Sequence, residues 1–286
     1  SNTQYGVLGL RDAAIRGVEV PREYWEAIQK HMIDTQAPNG GWGYPVNAPA
    51  TNETAYGSMT VACLANMYIT LDRLNPGNEG PFNGYEARGC GHRKEPEAIR
   101  KGLAWLDRNL GVDLGLKEGG DVQTFRQHGI NPYYLYGLER CANASGRKTF
   151  GGLNWFQEGA RWIIAQVRGR DVCNLSWAIL FLSKGNAPVF YNKLDYGPGW
   201  NCDLLDIPNL TNYMGDQLEQ RINWQVVDID DKVEEWLDAP VLFMNGHVMP
   251  HLTAEQKQKL RLYTDSGGTL LAEACCSRDD FVRGFK

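Results

Sequence analysis

TQAPNGGWGY, residues 35–44, is the stretch on which the fold turns. Gln36 closes what reads as a helix, turn formers follow, and Trp42 stands between glycines. Glycines let the chain reverse sharply. Gln36 can satisfy backbone groups left open at a helix end, and Trp42 can cover that bond with apolar area. The pair reads as a structural staple, not as a binding site.

Working outward, helical periodicity recurs on both sides. Residues 3–17 carry Val7, Leu10 and Ala14 on one stripe. The next helix opens near Pro21 and repeats Trp25, Ile28, Met32 and Ile33. Residues 53–73, 95–110, 131–144, 155–167 and 173–183 follow as helices. The last of these, CNLSWAILFLS, is apolar nearly all round and is expected to be buried on most sides. The Gly/Pro/Asn-rich segment 75–94 reads as a surface excursion. Met32, Trp105 and Trp162 each stand four residues before an amide: Gln36, Asn109 and Gln166. Gly102 and Gly159 lie three residues before their Trp. This repeat predicts stacked helical hairpins, with amphipathic outer helices alternating with more apolar inner ones.

Beyond about residue 186 the pattern changes. WQVVDID (224–230), VLFMNGH (241–247) and TLLAEACC (269–276) read as strands, and TAEQKQKLRLYTDSGG (253–268) as an amphipathic helix. That alternation is the rhythm of a parallel sheet. Three strands bury little, so the chain is expected to be a fragment, cut short in its second domain. The expected fold is mainly α: a partial α/α toroid of helical hairpins over 1–186, then a truncated α/β domain over 187–286.

Composition narrows the classes. The 286 residues carry a net charge of −5, with 29 basic residues spread along the chain. Nucleic-acid binding needs a clustered basic face, so no nucleic-acid partner is expected. No apolar run reaches the length of a membrane span. Seven cysteines without a C-x-x-C read as mostly buried or free thiols, with room for one stray disulfide, and not as a disulfide scaffold or a structural zinc site.

The repeat resembles the α/α-toroid superfamily of squalene cyclases and protein prenyltransferases. The match is TQAPNGGWGY, with weaker echoes at RKGLAWLDRN and QEGARWIIAQ, over roughly residues 1–185. The resemblance implies that Gln36 binds backbone at the start of the next helix and that the Trp42 ring packs against it. Four inner and three outer helices would make about half of a six-hairpin ring. Such an open half-ring exposes an apolar edge suited to self-association. The segments YYLYGLERCANASG, GGLNWFQEGARWI and WAILFLSKGNAPV also resemble toroid portions of large planctomycete proteins. In those an uncharacterised α/β domain follows, distantly akin to class I glutamine amidotransferase-like folds. NWQVVDID, APVLFMNGH and GGTLLAEACC resemble that domain.

The catalytic residue sets of those families are each missing or misplaced in this sequence. DIDD, Asp228–Asp231, matches the acid motif of squalene–hopene cyclases, but it follows a strand of the other domain and reads as a helix first turn. RDVC offers Asp171 and Cys173 where prenyltransferases keep two zinc ligands. Asp171 is expected instead to cap its helix, with Cys173 in the core. CGH, Cys90–His92, reads as a loop coincidence, and His128 falls in the wrong repeat order for a zinc ligand. EACCSRDD lacks the glycines of an amidotransferase nucleophile turn, and no phosphate-binding glycine motif occurs. Tyr56, Tyr133, Tyr134, Tyr136 and Trp177 lie on inner helices, where toroid enzymes line a cavity that takes a small apolar or cationic ligand. Core packing is the plainer reading of them. In the α/β segment, ligands sit at the carboxyl ends of strands, which nominates Asp230, Asn245, His247 and Glu273. No catalytic residue and no cofactor is assigned, and Asp171 and Cys173 remain the only metal candidates. The expectation is a binding or scaffold protein with protein partners or self-association. The rivals are an isoprenoid-processing enzyme and a hydrolase or amidotransferase-like α/β domain.

Overall fold

The structure is a computed structural model that describes residues 2–44, 50–75, 94–117, 130–167 and 171–285. The CGH segment, His128 and most of the 75–94 excursion lie outside the described residues. The chain divides into two compact units, one of Ser1–Pro76 and Glu95–Asn186, and one that contains Ala187–Lys286.

The first unit is helical: α1 (Asn2–Ile15), α2 (Arg22–Asp34), α3 (Gly57–Leu74), α4 (Glu97–Asp113), α5 (Pro132–Ser145), α6 (Trp155–Gln166) and α7 (Val172–Gly185). A two-residue hairpin, β1 (Thr149–Phe150) with β2 (Leu153–Asn154), leads into α6. The odd-numbered helices α1, α3, α5 and α7 pack in that order; α2 and α4 pack on α3, and α6 on α5 and α7. With neighbours on several sides, α3 is buried along most of its length.

The loop after α2 is held by the residues that marked it. Gln36 Nε2 donates to the carbonyls of Gly40 and Ala98, both at 2.8 Å. Ala98 lies in the first turn of α4, so the glutamine ties α2 to the helix two places on, not to α3, the next in the chain. Trp42 is buried, and its indole Nε1 donates to the Met32 carbonyl at 2.7 Å. Its backbone links to α3 through the Thr60 hydroxyl and the Tyr56 amide. Glycine lets backbone meet backbone at Gly40 and leaves room for the Trp42 ring at Gly102. A Cβ at Gly40, whose φ is +93°, would collide with the Lys101 carbonyl, and one at Gly102 would sit 2.8 Å from the Trp42 ring. Of the echoes, Asn109 donates within its own helix, to the Trp105 carbonyl.

A second tie joins α3, α4 and α5. The Asp113 carboxyl ends α4 and accepts from the Tyr134 hydroxyl at 2.5 Å. A Cβ at Gly57, which opens α3, would collide with that hydroxyl and sit 2.6 Å from the carboxyl. Burial pushes Asp113 up to about 8, against the opposing pull of the tyrosine.

One expectation fails at α7. Only Ala178 and Phe181 are buried, Phe181 stacking on Phe156 and edge-on to Trp155. Val172, Leu175 and Ile179 are exposed, as are Ile164 of α6 and the thiol-bearing Cys173. Apolar composition alone does not bury a helix: α7 packs on α5 and α6, and its remaining face meets solvent.

The second unit has four parallel strands, not three: β3 (Val189–Asp195), β4 (Asn223–Asp228), β5 (Val241–Gly246) and β6 (Thr269–Ala274), ordered β4-β3-β5-β6. Helices α8 (Asp206–Gln217), α9 (Val233–Trp236), α10 (Ala254–Asp265) and α11 (Asp279–Phe285) complete it. One sheet face presents Tyr191 and Phe243 to Ile207, Leu210 and Met214 of α8. The other presents Leu194, Val227, Leu242 and Met244 to Trp236, Tyr263 and Phe281 of α9, α10 and α11. A parallel sheet needs this cover on both faces. No described helix is long and apolar enough to cross a membrane.

Trp42→Ala is expected to cost about 3–5 kcal/mol, the range for truncating a fully buried aromatic, read as a lower denaturant midpoint for the helical unit. Asp113 predicts a pH dependence. The folded state holds its proton more tightly than the unfolded chain, so this contribution is complete below about pH 4 and is lost as pH rises to about 8. Asp113→Asn is therefore expected to flatten that loss and to melt above the parent at pH 8, with little difference at pH 4, by thermal melts across that window.

Candidate functional site

The central strand β3, VFYNKLD, carries Lys193 in its middle, buried to 2% exposure. A buried ammonium has three protons to place. Lys193 Nζ donates to Asn201 Oδ1 at 2.7 Å, to the Asp203 carbonyl at 2.7 Å and to Asp206 Oδ1 at 2.6 Å. All three acceptors come from the connection 196–206, YGPGWNCDLLD, and the start of α8. Gly197 and Gly199 give that loop two left-handed positions, with φ of +95° and +90°. Trp200 lies between them and the acceptors, its ring 5.6 Å from the Lys193 ammonium.

Asp206 carries the network across the sheet. Its Oδ2 accepts from Asn245 Nδ2 at 2.5 Å. Burial holds the Asp206 carboxyl above its ordinary value, with the Lys193 charge pulling the other way. Asn245 is buried on β5, and its carbonyl accepts from the Tyr196 hydroxyl at 2.6 Å. A Cβ at Gly246 would sit 2.5 Å from that hydroxyl, so any larger residue there would have to displace the Tyr196 side chain. The bond to Asp206 fixes which way the Asn245 amide points. Its Oδ1 is then a buried acceptor with no hydrogen-bond partner among the described residues.

Glu273 of β6 is the register partner of Asn245 and lies on the same face. Partial burial, then the Asp206 and Asp203 carboxylates, hold it above the usual carboxylate range. Past the strand ends, Cys202, His247 and Cys275 bring their sulfur and imidazole donors within 4.8 Å of one another. The Cys202 and Cys275 thiols share a hydrogen bond that lowers Cys202 and raises Cys275. Neither lies in a disulfide, nor do Cys63, Cys141 and Cys173, whereas Cys276 is disulfide-bonded.

These groups gather at a defined place in the topology. From β3 the chain crosses by α8 to β4 on one side, then by α9 to β5 on the other. The strand order therefore reverses between β3 and β5. The crevice outside the carboxyl ends at such a reversal is where open parallel sheets bind ligands. Lys193 and Asn245 stand on the two strands that flank it.

The other candidates are placed elsewhere. Asp230 lies in the turn after β4: its carboxylate accepts from Gln256 of α10, and Asp228 and Asp231 accept backbone amides of the same turn. Lys259 binds the carbonyls of Ile229, Asp230 and Asp231. DIDD is thus a strapped turn, not a helix first turn. Asp171 caps α7 through the Asn174 amide, and with Cys173 exposed, the expected core thiol is absent. Tyr133 and Trp177 meet with Tyr5 and Tyr136, centroids 4.9–6.3 Å apart. The Tyr136 ring already faces Arg140 and Lys184. Tyr134 is sealed against Asp113, and Tyr56 is the N-cap of α3.

Residues 187–286 match a family model described only as a domain of unknown function (DUF4159). No curated protein and no solved structure matches the chain.

Removing one partner of the buried pair strands the other. Lys193→Met is expected to cost about 3–5 kcal/mol, and Lys193→Met with Asp206→Leu appreciably less than the sum of the two single changes. Denaturant unfolding of the two single variants, the double variant and the parent closes that cycle.

Proposed function

We propose that this chain is a binding protein whose ligand site is the crevice between the carboxyl ends of β3 and β5, in a chain that also holds a helical unit. The observation that carries this reading is the buried, unpartnered Asn245 Oδ1 beside Asp206. Leaving such an acceptor empty costs about 1–3 kcal/mol, a cost that a ligand's donor group offsets. Among the described residues the surrounding carboxylates, Asp203, Asp206 and Glu273, outnumber the Lys193 ammonium. The preferred ligand is therefore small and polar, with an N–H donor or a positive charge.

The helical unit is read as half of an α/α toroid. The Gln36 and Trp42 ties and the row of α1, α3, α5 and α7 support that reading. Its role is structural. Asp228–Asp231 form a turn, Asp171 is a helix cap and the Tyr136 ring already carries two cations, so these residues are committed to holding the fold.

The test uses Trp200 as reporter. Small amines, guanidines and amides are titrated into the intact chain while tryptophan emission and melting are followed. Binding is expected to raise the melting temperature, to lose its emission signal in Trp200→Phe, and to weaken about tenfold in Asn245→Ala, the loss of one buried hydrogen bond. Failure of every such compound to bind, or binding indifferent to Asn245→Ala in a folded variant, overturns the reading.

A further inference from the structure

The Cys202, His247 and Cys275 donors come from three separate connections. Cys202 lies in the 196–206 loop, His247 directly follows β5, and Cys275 directly follows β6. Strands β5 and β6 are in register to their last pair, Gly246 with Ala274, so positions 247 and 275 leave the sheet side by side. The loop that brings Cys202 is fixed on both sides of it, by Tyr196 on the Asn245 carbonyl and by Asn201 and Asp203 on Lys193. Rigid elements thus aim all three donors at one point, as a metal site requires.

The donor set selects the ion. Two sulfurs and an imidazole suit a borderline-soft cation and not magnesium or calcium, which take oxygen. Zinc–sulfur bonds of about 2.3 Å in a tetrahedron place ligand atoms about 3.8 Å apart. The donors lie within 4.8 Å of one another, so side-chain rotation of about 1 Å closes the set. Cys202 and Cys275 are buried and His247 is partly exposed, which leaves the approach to the donors on the imidazole side.

We propose that Cys202, His247 and Cys275 bind one zinc ion through their side chains and leave its fourth coordination position to water or a bound molecule. Binding displaces the two thiol protons to solvent, so the neutral imidazole and two thiolates leave the bound ion nearly charge-neutral. This rests on reading the strand-end crevice as the binding site and names a metal as part of it. It also supplies a Lewis-acidic position of the kind that three-ligand zinc sites keep open.

The intact chain, stripped with a chelator under reductant, is titrated with zinc alone and, separately, with cobalt(II). One equivalent is expected to bind, and the cobalt form is expected to show thiolate-to-metal charge-transfer absorption, which needs no variant to interpret. Cys202→Ser and Cys275→Ser are expected to weaken zinc about 100-fold and His247→Gln at least about tenfold, whereas Cys173→Ser on α7 has no effect. Three results overturn the proposal: substoichiometric metal, a cobalt spectrum without the charge-transfer band, or zinc affinity unchanged in folded Cys202→Ser and Cys275→Ser. If the metal fails while amines still bind through Asn245, the zinc site is refuted and the binding reading stands. If Asn245→Ala leaves every ligand unaffected while zinc binds, the reverse holds.

Discussion

An ammonium in the middle of a central strand is tolerated only when each of its protons has an acceptor. Lys193 meets that condition with Asn201, the Asp203 carbonyl and Asp206. The condition reaches far beyond the lysine. It decides where the 196–206 loop lies, where α8 begins and which oxygen of Asp206 remains for Asn245. It also brings Cys202 to the end of the sheet. The candidate site is therefore largely a consequence of solvating one buried charge with protein groups in place of water.

The helical unit meets a related constraint with neutral groups. Its outer helices are tied by an amide, Gln36, that donates to two carbonyls, and by an indole, Trp42, that donates to a third. Both ties need a close approach, of the Lys101 backbone at Gly40 and of the Trp42 ring at Gly102, and glycine stands at each. Asp113 is the exception among these buried groups: its carboxyl receives one tyrosine hydroxyl and is held near its protonated form by burial.

Much of the architecture was legible because it is periodic. Helices α1 to α7 and strands β4 to β6 announce themselves by spacing, with boundaries a few residues off. Strand β3 does not. Asn192 and Lys193 interrupt its apolar run, and both are buried for reasons no local window contains: Asn192 bonds the Trp236 carbonyl and Gln225, and Lys193 bonds a loop up to thirteen residues on. Missing β3 also hid the reversal of strand order that places the crevice. The signal that could have found it was YGPGWNCD, a glycine-hinged loop dense in polar side chains directly after a short apolar run. Asn245, His247 and Glu273 were reachable from the general rule that strand ends carry ligands. Asp230 followed the same rule to an edge strand, where Gln256 and Lys259 strap its turn.

What the sequence determined by itself was the division between a helical region and a parallel α/β region, the helices α1 to α7, and the structural role of Gln36 and Trp42. These rest on periodicity and on residue types whose physical chemistry is local. Only the tertiary structure decided that α7 shows an apolar face to solvent, that β3 is the centre of the sheet, and that Cys202, His247 and Cys275 converge from positions 202 to 275 of the chain. Convergence of that kind depends on strand order and register, which are set by how whole elements pack, and no spacing along the chain encodes it.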